Sequence, residues 1–219
     1  MFSWLGTHEP LGERLRALTA SAHLLSVERG PGAAHAAVAY ARRAGVPADR
    51  RRLAAEATIS PPVSPHAGAL VDGLRRPLLV LHRGAGAPPK RWALDGFAGV
   101  ASWWRRSRGD VVELLGPAEA GETPLPRTTT ASGWPLPDVA ALLGCADAYV
   151  GNDSGISHLA GAVGTPGVVL FGPTAPARWR PLSPRLVAVR GEASPERVSR
   201  ALVEVSAGSV ACARSGSAS

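Results

Sequence analysis

From residue 76 onward, short apolar runs alternate with stretches whose apolar residues recur every three or four positions. RPLLVLH (76–82), VVELLG (111–116), DAYVG (147–151), GVVLFG (167–172) and LVAVR (186–190) read as buried strands, and residues 127–131 as a further one. Residues 93–107, 136–144, 154–163 and 194–205 carry helical spacing, and the last opens on Ser-Pro-Glu. Such alternation makes an α/β fold with a parallel sheet covered on both faces.

The first third is less regular. FSWL (2–5) and HLLSV (23–27) read as strands. Residues 10–20, with Leu11, Leu15 and Leu18 at helical spacing, and 33–44, stopped by Gly45 and Pro47, read as helices. A polar, Arg-rich stretch and SPPVSP (60–65) follow as a linker. The expected organisation is 1–62, 63–205 and a Ser, Ala and Gly-rich tail, 206–219, expected to be disordered. No internal repeat is present.

At 219 residues the chain holds one large domain, or a domain and a fragment of another. The net charge of +7 rests almost wholly on Arg and favours anionic partners. The Arg residues are dispersed, and neither zinc-finger spacing nor an RNP-type aromatic stretch occurs, so nucleic acid is not an expected partner. Cys145 and Cys212 lie far apart and outside any metal-type spacing, which suits a reducing compartment. MFSWLGTHEP lacks the basic and apolar segments of a signal peptide, and no apolar run approaches the ~20 residues that span a bilayer. The expected location is cytoplasmic.

In an open α/β sheet, ligands bind outside the carboxyl ends of the strands, and three loops there carry unusual residues. In HRGAGAPPKRW (82–92), Gly84 and Gly86 admit close approach of a backbone to a ligand. Lys90, the sole lysine, and Arg91 add positive charge before a helix start. This is no Walker motif, since Gly-Lys-Ser/Thr is absent; a plain Gly-rich turn is the other reading. In GPAE (116–119), Glu119 stands where a carboxylate accepts from ribose hydroxyls, although the residues alone favour an ordinary solvated Glu. In GNDSGISHLAGAVGTPGVVLFGPT (151–174), Gly151 and Gly155 permit tight turns and Asp153 or Ser154 is placed to cap a helix. His158 lies about one turn into that helix, whose N-terminal N–H groups favour a diphosphate.

GNDSGISHLAGAVGTPGVVLFGPTAPARWRPL closely resembles the D-[ST]-G-x-x-H-[LI]-A-…-P-…-G-P-T signature of glycosyltransferase family 9, the ADP-heptose:lipopolysaccharide heptosyltransferases. HRGAGAPPKRWALDGFAGVA resembles that family's G-A-x-x-P-x-K-R-W segment, and VVELLGPAE its V-x-x-L-G-x-x-x-E strand. The resemblance covers about residues 76–190, and more loosely the whole chain.

It implies a GT-B fold with a complete carboxy-terminal Rossmann-like donor domain and a partial amino-terminal one. It also implies sugar transfer from a nucleotide-diphosphate donor, ADP-heptose by family expectation. Carried over, Lys90 contacts donor phosphate, Glu119 holds the ribose, and the N–H groups of Ser154 and Gly155 grip the diphosphate. Asp153 and His158 lie beside the sugar and phosphates, and Trp134 near the adenine. Lys90, Asp153 and His158 are thus the candidate catalytic residues. Without an Asp-x-Asp motif, neither metal nor resident cofactor is expected; the nucleotide sugar is substrate.

The implied acceptor is an anionic glycolipid of the lipopolysaccharide core, which raises an expectation of peripheral inner-membrane contact. The family's amino-terminal G-D-x-[ILV]-x-x-x-P segment, whose Asp is its proposed general base, has no counterpart in these residues. Hence the alternatives: a catalytically incomplete nucleotide-sugar-binding fragment or pseudoenzyme, or a chain that self-associates or needs a partner chain. An unrelated Rossmann-like nucleotide-binding protein is the remaining reading.

Overall fold

The computed structural model describes residues 2–3, 13, 17, 23–24, 34–119 and 121–207. Packing divides the chain into two units, Met1–Ala55 and Glu56–Ser219.

In the first unit, β1 (Phe2–Ser3) and β2 (His23–Leu24) pair in parallel, Phe2 opposite His23. Glu13 and Ala17 are helical; the rest of the helix expected over 10–20 falls outside the described residues. Helix α1 (Ala36–Arg43) buries Ala36, Val38 and Ala39. Its N-cap is His35, whose Nδ1 accepts from the Ala37 N–H at 3.3 Å. Helix α2 (Arg50–Glu56) occupies the stretch read as a polar connection. It buries no residue, so it has no apolar stripe for periodicity to detect. What starts it is Asp49, whose Oδ1 accepts from the Arg52 N–H at 2.9 Å.

The second unit opens with α3 (Pro65–Val71), a helix the sequence reading omitted. The last residues of SPPVSP start it: Ser64 Oγ accepts from the Ala67 N–H at 3.0 Å, and Pro65 takes the first turn, where its missing N–H costs nothing. Then follow β3 (Leu79–His82), a 3-10 turn (Pro88–Lys90), α4 (Leu94–Ser107), β4 (Val111–Leu115) and a second 3-10 turn (Pro117–Glu119). Next come β5 (Thr129–Ser132), α5 (Leu136–Cys145), β6 (Ala148–Asn152) and α6 (Gly155–Ala162). The unit ends with β7 (Gly167–Phe171), α7 (Pro176–Trp179), β8 (Leu186–Arg190) and α8 (Pro195–Ala207). Ser206 and Ala207 belong to α8, so the tail expected from 206 is helical at its start; residues 208–219 fall outside the described ones.

Every pairing in this sheet is parallel, in the order β5-β4-β3-β6-β7-β8. Alternate residues of each strand face opposite layers. Leu79 and Leu81 of β3 join Phe97, Val100 and Trp104 of α4 and Val198 and Leu202 of α8. Leu78 and Val80 join Leu142 and Leu143 of α5 and Ala160 of α6. Burial on both faces explains why β3, β4, β6 and β7 read as apolar runs; the edge strands β5 and β8 are partly exposed. The chain steps one way from β3 to β5 and the other way from β6 to β8, so the order reverses between β3 and β6. A crevice opens at such a switch point. His82, the last residue of β3, lies there opposite Gly151.

Candidate functional site

The crevice is a cavity of about 620 Å³. Its walls come from the end of β3 (His82), the loop after it (Ala85, Gly86), residues 116–119, Leu136 at the start of α5, and α6 from Ser154 onward. A narrower space of about 60 Å³ adjoins it behind His82, Leu136 and Ile156, and Trp134 lines that one.

The loop after β3 is held by buried charge. Arg83 is 8% exposed; its Nε meets Glu113 Oε1 at 2.6 Å, its Nη1 meets Glu122 Oε2 at 2.9 Å, and its Nη2 donates to the Thr123 carbonyl at 2.7 Å. Buried charges persist only when paired in this way. Asn152, at the end of β6, clamps both ends of the loop: its Nδ2 donates to the Arg83 carbonyl at 2.7 Å, and its Oδ1 accepts from the Trp92 N–H at 3.0 Å. Arg91 was expected to offer charge to an anion. Its guanidinium instead meets Glu119 at 3.1 Å and Glu122 at 2.8 Å.

Glu119 is not a solvated carboxylate. It is 2% exposed, and its Oε2 accepts from the Gly116 N–H at 3.0 Å. This burial gives Gly84 its role: a Cβ there would stand 2.5 Å from Glu119 Oε1. Gly84 therefore makes room for the carboxylate and is absent from the cavity wall, whereas Gly86 lines the cavity, and a Cβ there would meet nothing within 4 Å beyond its chain neighbours.

At the turn from β6 to α6, Asp153 is 6% exposed, and its Oδ2 accepts from Lys90 Nζ at 2.8 Å and from Thr174 Oγ1 at 2.7 Å. Ser154 is the N-cap residue by backbone position, with φ −149° and ψ 166°, yet its side chain makes no capping bond. The expectation that Asp153 or Ser154 caps this helix through its side chain is therefore overturned. Asp153 is engaged by Lys90 and Thr174, and Ser154 Oγ turns to His82 Nδ1 at 3.4 Å. The N–H groups of Ser157 and His158 reach the Ser154 carbonyl. Those of Gly155 and Ile156 meet no acceptor among the described residues, and both residues line the cavity. Beneath the turn, Ser157 Oγ donates to the Asn152 carbonyl at 2.6 Å and lies 2.9 Å from the Tyr149 hydroxyl. Burial pushes that hydroxyl's pKa far up, and hydrogen bonds with Ser157 and Ser154 oppose the shift. Burial, then the Arg91 charge, pull the His82 pKa down from 6.5 to about 4, so its imidazole is neutral near pH 7.

The structure thus brings Gly86, Glu119, Ser154, Gly155 and His158 onto one cavity. Lys90 and Asp153 form an ion pair joined to it through Ser154, and Trp134 lies in the adjoining space, stacked on His66 with ring centres 5.9 Å apart. Sequence reasoning missed His82, Asn152 and Thr174 as site residues. For His82 and Asn152 the available signal was a polar residue ending an apolar strand, in LVLH and AYVGN, and for Thr174 its place at the end of the G-P-T signature. No group of His, Cys, Asp and Glu placed to hold a metal ion occurs among the described residues, and no described helix is long and apolar enough to cross a membrane.

Residues 14–204 match the family model for glycosyltransferase family 9 (heptosyltransferase). Among curated proteins, lipopolysaccharide heptosyltransferase 3 of Escherichia coli is 39% identical over 70 residues, 32% of this chain and 20% of that protein. The solved ADP-heptose lipopolysaccharide heptosyltransferase II of Escherichia coli aligns with TM-score 0.58 and 24% identity, covering 67% of this chain and 53% of its own. A solved family 9 glycosyltransferase from Veillonella parvula aligns with TM-score 0.67 and 19% identity, covering 89% and 66%. The chain thus spans a fifth of that curated relative and between half and two thirds of these solved chains.

Proposed function

Since the chain belongs to glycosyltransferase family 9 and has its GT-B type α/β fold, we propose that the cavity at the β3/β6 switch point binds a nucleoside-diphosphate sugar for transfer to an acceptor hydroxyl. One observation carries this reading. The first turn of α6 presents the uncapped N–H groups of Gly155 and Ile156 to a cavity that also holds Glu119. Paired N–H groups at a helix start suit a diphosphate, and a buried carboxylate suits ribose hydroxyls.

The chemistry follows from the leaving group. As the bond from the sugar's anomeric carbon to the diphosphate oxygen breaks, negative charge accumulates on the diphosphate. The N–H groups of α6 and the Lys90 ammonium stabilise that charge once Lys90 gives up part of its contact with Asp153. Thr174 retains Asp153 meanwhile. The acceptor oxygen forms the new bond at the same carbon and loses its proton to water or to the departing diphosphate. His158, on the cavity wall, faces the sugar and phosphates in this reading. Trp134 borders the base in the adjoining space. The donor proposed is an ADP-heptose-like sugar nucleotide, and the acceptor an anionic glycolipid of the lipopolysaccharide-core kind, reached at a membrane surface. This reading uses neither a metal nor a resident cofactor.

Calorimetric titration of the chain with ADP and an ADP-sugar tests it. Wild type is expected to bind both. Lys90→Ala removes a charge-assisted contact and is expected to weaken binding about tenfold or more. Asp153→Ala, which frees Lys90 and unseats the turn, is also expected to weaken it. Folded wild-type protein that binds neither ligand would remove the donor-site reading. Binding without transfer to any glycolipid acceptor would leave a nucleotide-sugar-binding protein.

A further inference from the structure

The buried imidazole of His82 belongs to the cavity wall, but neither the family motifs nor the reading above gives it a task. It stands between the two ligand-facing walls: Nδ1 is 3.4 Å from Ser154 Oγ, and Nε2 is 3.8 Å from Glu119 Oε2. Ser at an N-cap normally turns its oxygen onto the N–H of the second or third helical residue. Here the second is Ile156, and its N–H is left open. The Ser154 oxygen turns to His82 instead, near the Tyr149 hydroxyl that bonds Ser157. Tyr149 reaches this point because Gly151, opposite His82 in the sheet, has no side chain: a Cβ there would overlap the Tyr149 hydroxyl.

We propose that His82 is a positioning residue that holds the Ser154 hydroxyl away from the first turn of α6, so that the helix cannot cap itself and its N–H groups stay open to an anion. This rests on the donor-site reading for the nature of the anion, but not for the side-chain arrangement. A neutral imidazole suits the task. One nitrogen accepts from the Ser154 hydroxyl, while the other carries its hydrogen toward the Glu119 carboxylate. A Ser N-cap competes directly with the ligand for the same N–H group, so a site of this kind needs a device that removes the cap.

The test is a rescue. In His82→Leu the Ser154 oxygen loses its hydrogen bond with His82 and is expected to turn to cap Ile156. Amide exchange at Ile156 in the ligand-free protein is then expected to slow about fivefold, the usual strength of an N-cap bond, and ADP affinity to fall by a similar factor. Adding Ser154→Ala removes the competing cap. Exchange is expected to return to its wild-type rate, and ADP is expected to bind at least about threefold tighter than to His82→Leu alone. His82→Asn, whose amide oxygen can replace Nδ1, is expected to keep the open amide.

Unchanged exchange in His82→Leu, or no recovery in the double variant, overturns the proposal. If His82→Leu does not fold, Ser154→Ala alone decides. An inward hydroxyl contributes nothing to Ile156, so exchange stays at the wild-type rate; faster exchange shows that Ser154 caps the helix and overturns the proposal. Absence of ADP binding by wild type counts against the donor site, while the exchange measurements still decide the role of His82.

Discussion

At the scale of single residues, the site is built from buried polar groups whose partners lie far away in sequence. His82 carries a consequence for pH. Its pKa is lowered from 6.5 to about 4, mainly by burial. The unfolded chain therefore takes up this proton first as pH falls. The stability that neutral His82 contributes is complete above pH 6.5 and is lost as pH falls through 4. Urea unfolding near pH 7 and near pH 4.5 is expected to show wild type losing about 2 to 3 kcal/mol more than His82→Asn. Parallel pH dependences would show that His82 is not held neutral by the fold. Gly84 offers a steric counterpart. Because Glu119 is tied by Arg91 and Gly116, it cannot swing clear of a new methyl at Gly84. Gly84→Ala is expected to cost about 1 to 3 kcal/mol and to weaken ADP binding, while Gly86→Ala stays within about 0.5 kcal/mol in stability. Equal melting transitions for the two variants would rule out this account of Gly84.

At the scale of elements, legibility followed burial. Four of the five apolar strands from 76 to 190 were readable because both faces are covered; β8, at the sheet edge with Val187 exposed, was readable from its apolar residues alone. Helices α4, α5, α6 and α8 were readable because each lays a stripe on the sheet. Helix α2 was not readable, since it buries nothing and only Asp49 marks its start. Helix α3 was hidden behind three prolines that resemble a linker until Ser64 is recognised as a cap. The site shows the same division. Its loops were visible as Gly, Asp, Ser and Lys clustered after strand ends. The orientation of its side chains was not. Ser154 sits in a sequence that spells a helix cap, yet its hydroxyl meets His82, 72 residues away. Glu119 looks solvated until Arg91, 28 residues away, is seen beside it. Local sequence states what a residue is able to bond; the long-range sheet register decides what it meets.

At the scale of the whole molecule, net charge alone would misplace the ligand. A second cavity, of about 630 Å³, is lined by Arg76, Arg108 and Arg185, of which Arg76 is paired with Asp147 at 2.8 Å. That cavity also contains Pro77, Asp147 and Pro166, so it lies where β3, β6 and β7 begin, opposite the crevice where β3 and β6 end. Coulomb attraction favours an anion at either end of the sheet. Only the carboxyl end combines open helix N–H groups with the strand-order reversal, while Arg83 and Arg91, the arginines nearest to it in sequence, are neutralised by Glu113, Glu119 and Glu122. In the proposed reading, recognition there depends on oriented dipoles and one lysine rather than on a basic patch. Amide exchange across the full chain distinguishes the two ends. ADP at about a hundredfold above its Kd stabilises the folded protein by about 2.7 kcal/mol. Slowed exchange is expected within 83–92, 116–119 and 153–158, with little change around Arg76, Arg108 and Arg185. Protection centred on those three arginines would mean that charge, not strand topology, selects the ligand in this fold.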